Sequence, residues 1–436
     1  MKEVIRSADP RVSALIARQA TQYADRDNLG LDRIKALLER LGRPQDRLPP
    51  VFHVAGTNGK GSTCAFLRAG LEAAGKRVHA FTSPHLVRYN ERIRIAGKLI
   101  GDKMLAELMG RVLDANEEIG ASLFEVNTAV AFLAFGQEAA DACIVEVGLG
   151  GRLDATNVIE HPLVTGIASL GLDHQAFLGG RLSDVAAEKA GIAKRGVPLV
   201  TQLYPAALAG KIAEVAQKAG AVWEPRGLHW DALVRQGKLH YYDRHGELSL
   251  PVPRLPGRYQ TLNAALAVAM LRHQTAIGIP DSALGAAMGW ADWPARLQQL
   301  HAGPLFEMLP RGSELWIDGG HNPSAAQLVA AHARRKWKDG LPLVLLFASL
   351  ASKDATGVLR PFRGIADRVL TLPIEGHDSR DPDELVALAT EMGFAARAYR
   401  GISDALVGVR KKARVLVFGS LYLAGEALSL NGTFPD

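Results

Sequence analysis

Residues 51–62 carry the strongest chemical signal: an apolar run empties into Val54-Ala55-Gly56-Thr57-Asn58-Gly59-Lys60-Gly61-Ser62. A buried strand feeding such a turn cradles the phosphates of a nucleotide. Glycines let backbone N–H groups approach phosphate oxygens, Lys60 supplies a point charge, and a hydroxyl reaches a metal. The spacing departs from G-x-x-x-x-G-K-[ST], since position 54 is Val and Gly61 separates Lys60 from Ser62; a plain Gly-rich loop is the competing reading. Ala142–Val147 is a second apolar strand, with Glu146 at its tip and Gly148–Asn157 after it. In a P-loop protein a carboxylate there is where a Mg²⁺ ligand belongs; otherwise it caps a strand edge. The next strand leads to Leu172-Asp173-His174, where His174 either converges on the same metal or is structural. Ser83, in Thr82-Ser83-Pro84-His85, offers another oxygen or simply marks a turn. Asp318-Gly319-Gly320-His321-Asn322-Pro323 gathers a carboxylate, two glycines and an imidazole where α/β sheets bind ligands, or forms an ordinary strand–turn–helix junction. Glu188-Lys189 alone reads as a solvated helical pair.

These clusters need strand tips to hold them. Helical periodicity marks Ile34–Leu41, Thr63–Ala74 and Leu105–Ile119, and short β-rich runs mark Val51–Val54, Val78–Phe81, Ala142–Val147, Leu163–Ile167 and Pro198–Val200. Strands alternating with helices predict a mainly parallel sheet. Leu239–Asp243 and Glu247–Val252 predict a small antiparallel insertion, followed by a helix at Leu262–Arg272 and a Trp/Pro break at Trp290–Pro294. The βα rhythm then restarts, with strands at Leu315–Ile317, Leu343–Phe347, Arg368–Leu372 and Arg414–Phe418. The expected boundary falls near 297–303, giving a large nucleotide domain, 1–297, and a smaller Rossmann-like domain, 298–436.

A chain of 436 residues exceeds one core, and 22% charged residues with a net charge of +6 describe an ordinary globular protein. A mild basic balance suits anionic ligands. Aromatics amount to 6% and do not interleave with Arg334-Arg335-Lys336 or Arg410-Lys411-Lys412, so nucleic acid is not an expected partner. Two cysteines, Cys64 and Cys143, are too few for a disulfide framework and sit in apolar contexts. No signal-peptide pattern and no apolar run of about 18 residues is present, so no membrane association is expected and the cytoplasm is the expected compartment.

Seven segments in order, Gly56–Ser62, Ser83–Arg94, Phe124-Glu125, Glu146–Asn157, Leu172–His174, Glu188–Ile192 and Asp318–Pro323, resemble bacterial dihydrofolate synthase/folylpolyglutamate synthase, of the Mur ligase superfamily. The likeness runs from about residue 28 to Leu423, where Phe418-Gly419-Ser420-Leu421-Tyr422-Leu423 looks like the family's last strand. It implies an α/β fold: a P-loop N-terminal domain with a Mur ligase-like central sheet, and a Rossmann-like C-terminal domain. Carried over by position, Gly56, Thr57, Asn58, Gly59, Lys60, Gly61 and Ser62 would hold the ATP triphosphate, and Ser83, Glu146 and His174 would hold Mg²⁺. Lys189 matches a lysine that family members carbamylate, which turns an ammonium into an anionic oxygen ligand. Asn263, Arg296 and Asp318 match positions that contact ATP, and His321 would lie beside the γ-phosphate. Lys60, Lys189, Asp318 and His321 are the expected catalytic set. Asn28, Leu29, Gly30 and Leu31, with Ser122, Leu123, Phe124 and Glu125 and with Leu153, Asp154 and Ala155, would hold the dihydropteroate.

The implied reaction is ATP-dependent addition of L-glutamate to 7,8-dihydropteroate and to reduced folates through an acyl phosphate; folylpolyglutamate synthase alone is the alternative. The linker around Arg296 is the expected hinge, and a monomer is the family-level expectation. Asn28 stands where Asp is common, Gly320 where Ala or Val is usual, Arg181 where Thr is frequent, and Tyr259 where His or Pro often precedes Gln260; none falls in the metal or phosphate set. A Mur-type cell-wall ligase fits the 146–157 run less well. A P-loop switch protein has no need of an acid–imidazole cluster on a second domain.

Overall fold

Val51–Ala55 forms β1 and is buried along its whole length, as a strand covered on both faces must be. In the computed structural model, which describes residues 9–22 and 29–436, β1 lies inside an eight-stranded sheet. The others are β2 (Val78–Phe81), β3 (Ile93–Ile95), β4 (Lys98–Leu99), β5 (Ala142–Glu146), β6 (Val164–Ile167), β7 (Pro198–Thr201) and β8 (Val222–Pro225). Their order is β4-β3-β2-β5-β1-β6-β7-β8, parallel except for the short pair β3 and β4 at one edge. Alternation along β1 sends Phe52 and Val54 toward the helices Lys60–Ala73 and Arg258–Arg272, while Val51 packs with the helices Asp102–Asn116 and Leu123–Phe135 on the other face.

The insertion has three strands, not two: β9 (Trp230–Arg235), β10 (Lys238–Asp243) and β11 (Gly246–Pro251), in the order β11-β10-β9. In β9 only Trp230 and Ala232 turn inward, while the adjacent Leu233 and Val234 are both exposed, so its apolar residues do not alternate as those of a half-buried strand do. From residue 298 onward the chain builds a six-stranded sheet from β12 (Gln298–Leu300), β13 (Glu314–Ile317), β14 (Leu343–Phe347), β15 (Ala366–Thr371), β16 (Ala395–Ala398) and β17 (Arg414–Phe418), ordered β12-β13-β17-β14-β15-β16. All its pairs are parallel except β12 with β13, and it too is covered on both faces.

The two sheets meet through the stretch 293–297. Ala295 and Leu297 adopt left-handed backbone angles, φ 54° and 45°, which non-glycine residues hold only when their surroundings impose them. Here Gln298 Oε1 accepts from Ala295 N at 2.9 Å, Ala295 O accepts from Gly319 N at 2.9 Å, and Asp318 Oδ2 accepts from Leu297 N at 2.9 Å. The linker is therefore tied to the tip of β13. No helix among the described residues is long and apolar enough to cross a membrane.

Candidate active site

The turn after β1 begins the site. Gly59 precedes the first turn of the helix Lys60–Ala73 with φ 85°, and a Cβ there would lie 2.4 Å from Asn263 Oδ1; a Cβ on Gly56 would lie 2.9 Å from Ala168 Cβ. Both glycines are required by close approach and backbone angle together. The helix starts at Lys60, three residues before the apolar periodicity does, so Lys60 sits at its N-terminus with Nζ donating to Gly56 O at 3.1 Å. Thr57 N donates to Ser169 O at 2.8 Å and Thr57 Oγ1 to Gly171 O at 2.9 Å, which fastens the loop to the end of β6. Ser62 is buried in the first turn, and the Trp293 indole covers Gly61, 2.4 Å from where a Cβ would be. Asn263, buried, donates to Gln260 Oε1 at 3.0 Å.

Adjacent strand tips bring acids and amines toward this loop. Glu146, at the end of β5, is buried and accepts from Ser83 N at 3.2 Å. Burial pushes its carboxyl up, and the nearby Lys60 charge opposes that shift. Lys189 is buried in the helix Leu182–Ala190, with Nζ 3.5 Å from Gly150 O. Burial and the Lys60 charge push its ammonium down to about 7. His174 has a left-handed φ of 50°; partial burial and the Lys353 charge push it down to about 4, which leaves a neutral imidazole. Among the described residues no three His, Cys, Asp or Glu side chains converge as a ready cage. A buried carboxylate, a serine and a neutral imidazole near a phosphate loop suit Mg²⁺, which keeps waters and takes substrate phosphates as ligands. The donor set fits the ion.

The tip of β13 supplies the opposing wall. Asp318 is buried, and both its oxygens are occupied: Oδ1 by Gly320 N at 2.8 Å, Oδ2 by Leu297 N. Burial pushes it up, with Arg296 opposing. Arg296 donates to Ala295 O at 2.8 Å, beside Gly319. Asn322 caps the helix Pro323–Lys336 by accepting from Ala325 N at 2.9 Å. The same amide accepts from Asn58 Nδ2 at 3.1 Å and donates to Asn58 Oδ1 at 3.0 Å and to Asp173 Oδ2 at 3.1 Å. One side chain thus joins the second sheet to the phosphate loop. His321 Nε2 lies 3.3 Å from Asp173 Oδ2, and Lys353, from the loop after β14, donates to Asp173 Oδ1. Burial works against the charge of Asp173, but the His321 hydrogen bond and the Lys353 ammonium outweigh it and hold the carboxyl well below the usual range.

In this stretch the sequence singles out His174 and gives no sign of the pairing of Asp173 with Lys353. His174 stands 4.0 Å from Asp173 with its side chain 44% exposed, so the bonded member of that pair is the aspartate. The available signal was the position of Lys353 just past an apolar strand, which a solvated lysine shares.

The third group of expected residues gathers at the start of the helix Leu123–Phe135. Ser122 and Glu125 form a capping box, with Ser122 N donating to Glu125 Oε2 at 2.6 Å and Glu125 N to Ser122 Oγ at 3.3 Å. Arg33 pairs with Glu125 at 3.1 Å. Phe124 fills the space over Gly148, where a Cβ would come within 2.4 Å of its ring. Asp154, buried, accepts from Leu149 N at 2.8 Å and Thr156 N at 3.0 Å, between the half-buried Leu153 and the buried Ala155. Leu31, half-buried, packs against the same core; Leu29 is exposed, Gly30 has open space around its Cα, and Asn28 lies outside the described residues.

A glycine-rich loop at a strand tip of one parallel sheet, faced by an acid, an imidazole and a lysine from the strand tips of a second, is the two-domain arrangement of ATP-dependent ligases of the Mur type. Comparison with known proteins gives the branch. A dihydrofolate synthase/folylpolyglutamate synthase from Escherichia coli is 32% identical over 405 residues, spanning 92% of this chain and 91% of its own. Escherichia coli FolC in complex with DHPP and ADP superposes with a TM-score of 0.86 at 31% identity, over 97% of this chain and 98% of that one. A bifunctional folylpolyglutamate synthase/dihydrofolate synthase with Mn, AMPPNP and L-glutamate bound gives 0.84 at 31%, over 98% and 99%. No protein-family model matches. The chain belongs to the dihydrofolate synthase/folylpolyglutamate synthase family.

Proposed function

We propose that this chain joins L-glutamate to the carboxylate of 7,8-dihydropteroate and of reduced folates, coupled to cleavage of ATP, as a cytoplasmic monomer with domains 1–297 and 298–436. The observation that carries it is the Asn322 amide, which bonds Asn58 of the phosphate loop and Asp173 at once. It supports a reading in which His321 and Lys353 face the γ-phosphate of an ATP held by that loop.

A carboxylate is a poor acyl donor. Its oxygen attacks the γ-phosphorus, the bond to the β-phosphate oxygen breaks, and ADP leaves an acyl phosphate. The amine of glutamate attacks the acyl carbon, the amide forms, phosphate departs and the amine proton is lost. The residues Gly56–Ser62 hold the triphosphate, with Lys60 as its cation. Ser83, Glu146 and His174 would hold Mg²⁺, which when bound offsets phosphate charge, and a carbamate on Lys189 adds an anionic oxygen to that set. Asn263, Arg296 and Asp318 frame the nucleotide between the linker and the tip of β13. Lys353 places positive charge, and His321 a hydrogen-bonding imidazole, where negative charge develops during both transfers, the main catalytic need of phosphoryl and acyl transfer. Enclosure between the two sheets protects the acyl phosphate from water. The groups at 29–31, 122–125 and 153–155 line the dihydropteroate side, with Asn28 assigned there from the sequence.

The test is ADP release with Mg-ATP and L-glutamate, with and without 7,8-dihydropteroate, and separately with tetrahydrofolate. Release that needs glutamate and responds to both pterins supports the double activity. A response to tetrahydrofolate alone leaves the polyglutamylating enzyme, and indifference to both overturns the reading.

A further inference from the structure

His53 sits in the middle of β1, three residues before Gly56, and is wholly buried. A polar ring in a central strand is unfavourable unless it is bonded. Its Nε2 lies 2.8 Å from Thr156 Oγ1, and its Nδ1 has no partner. Thr156, also wholly buried, directs both its O–H and its N–H to Asp154 Oδ1, while Leu149 N–H fills Oδ2 at 2.8 Å. A hydroxyl has one proton, and here the carboxylate takes it. The Thr156 oxygen therefore accepts from His53 Nε2–H, which fixes the tautomer and leaves Nδ1 bare. Burial keeps this imidazole neutral.

The chain of donors runs from the core strand to one end of a single loop. Leu149 adjoins Gly148, whose Cα faces the Phe124 ring at contact distance. The middle of that loop is fastened separately, by Arg152 N to Glu188 O at 2.8 Å and by Asn157 Nδ2 to Gly191 O at 3.1 Å. Nothing in phosphate binding uses His53.

We propose that His53 is a positioning residue for the pterin substrate: through Thr156 it orients Asp154, and through Asp154 it sets the 148–154 segment against Phe124. This rests on the assignment of Leu153, Asp154 and Ala155 to the dihydropteroate side. Loss of one link of the chain weakens the substrate surface at 148–149, while the Arg152–Glu188 and Asn157–Gly191 bonds still hold the rest of the loop to the Lys189 helix, and Lys60 and the second sheet stay in place.

The experiment is steady-state kinetics on His53→Leu and Thr156→Val, with His53→Gln and Thr156→Ser as conservative partners and Asp154→Asn as the reference. Melting temperature and ADP affinity check folding. Thr156→Val and His53→Leu are expected to raise KM for dihydropteroate about tenfold, the scale of one lost buried hydrogen bond, with kcat and KM for ATP within about twofold. His53→Gln and Thr156→Ser return KM to within about threefold of the parent. If His53→Leu does not fold, Thr156→Val decides alone. An unchanged pterin KM in Thr156→Val beside a raised one in Asp154→Asn overturns the relay and leaves the pterin assignment standing. Unchanged pterin KM in both overturns that assignment and the proposal with it. Equal losses in KM for ATP and in kcat reduce His53 to a packing role and overturn the proposal.

Discussion

Replacing Asp173 with asparagine tests whether the two sheets work as one site. The carboxylate takes Lys353 on one oxygen, and His321 and Asn322 on the other, with its side chain 8% and that of Lys353 12% exposed. Breaking a fully buried ion pair costs about 3–5 kcal/mol. Asparagine keeps an acceptor for Asn322, and the site retains some solvent, so about 2–3 kcal/mol is the expected loss. At about 1.4 kcal/mol per decade, kcat/KM for glutamate-dependent ADP release should fall roughly 30- to 150-fold. KM for ATP should stay within about threefold, because Lys60, Gly56 and Gly59 are untouched. Lys353→Met should cost a similar amount, and the double variant should be much better than the product of the two, with a coupling of about 1.5 kcal/mol or more. Additive losses, or an Asp173→Asn enzyme within threefold of the parent, would refute the argument that this carboxylate organises Lys353 and His321 of the second sheet.

Three further outcomes follow from the geometry. Glu146→Gln keeps shape but removes the buried carboxylate, so the Mg²⁺ concentration for half-maximal activity should rise by about tenfold or more while metal-free ADP binding persists; an unchanged Mg²⁺ curve would remove Glu146 from the metal set. Lys189 titrates at about 7, so at pH 8 about nine-tenths of it is a neutral amine, against about 0.3% for an ordinary lysine. Labelled bicarbonate should therefore place a carbamate carbon on the protein, with occupancy rising from pH 6 to pH 8, and Lys189→Arg should abolish both signal and activity; a protein active without that carbon would count against the modification. Gly425 approaches the loop after β2 so closely that a Cβ would lie 1.9 Å from Leu86 O. Gly425→Ala should thus destabilise the protein by about 3 kcal/mol, read as a lowered denaturant midpoint at unchanged m.

The parts of this molecule that could be read in advance are those whose chemistry is local in sequence. A glycine turn with a lysine, an acid at the end of an apolar run, and Asp318–Asn322 before a helix each announce themselves within a few residues, because backbone angles and strand tips are set there. What was not legible depends on burial and distance. The helix Leu123–Phe135 is buried almost all round, so it has no polar face and no period to detect. Lys98–Leu99 and Ala395–Ala398 are edge strands too short or too exposed to show alternation. Asp173 and Lys353 are 180 residues apart in sequence. Either alone is a charged residue in a polar loop, and only the crossing of two sheets makes them partners. His53 is the converse case: one histidine in an apolar strand is read as core, and its bond to Thr156 appears only when the loop after β5 folds back over β1. In a two-sheet ligase the nucleotide half of the site is written along one strand and its turn. The half that must close on it is written in residues that acquire chemistry only by meeting, which is why Asp173 and Lys353, rather than the phosphate loop, are the sharper test of the mechanism.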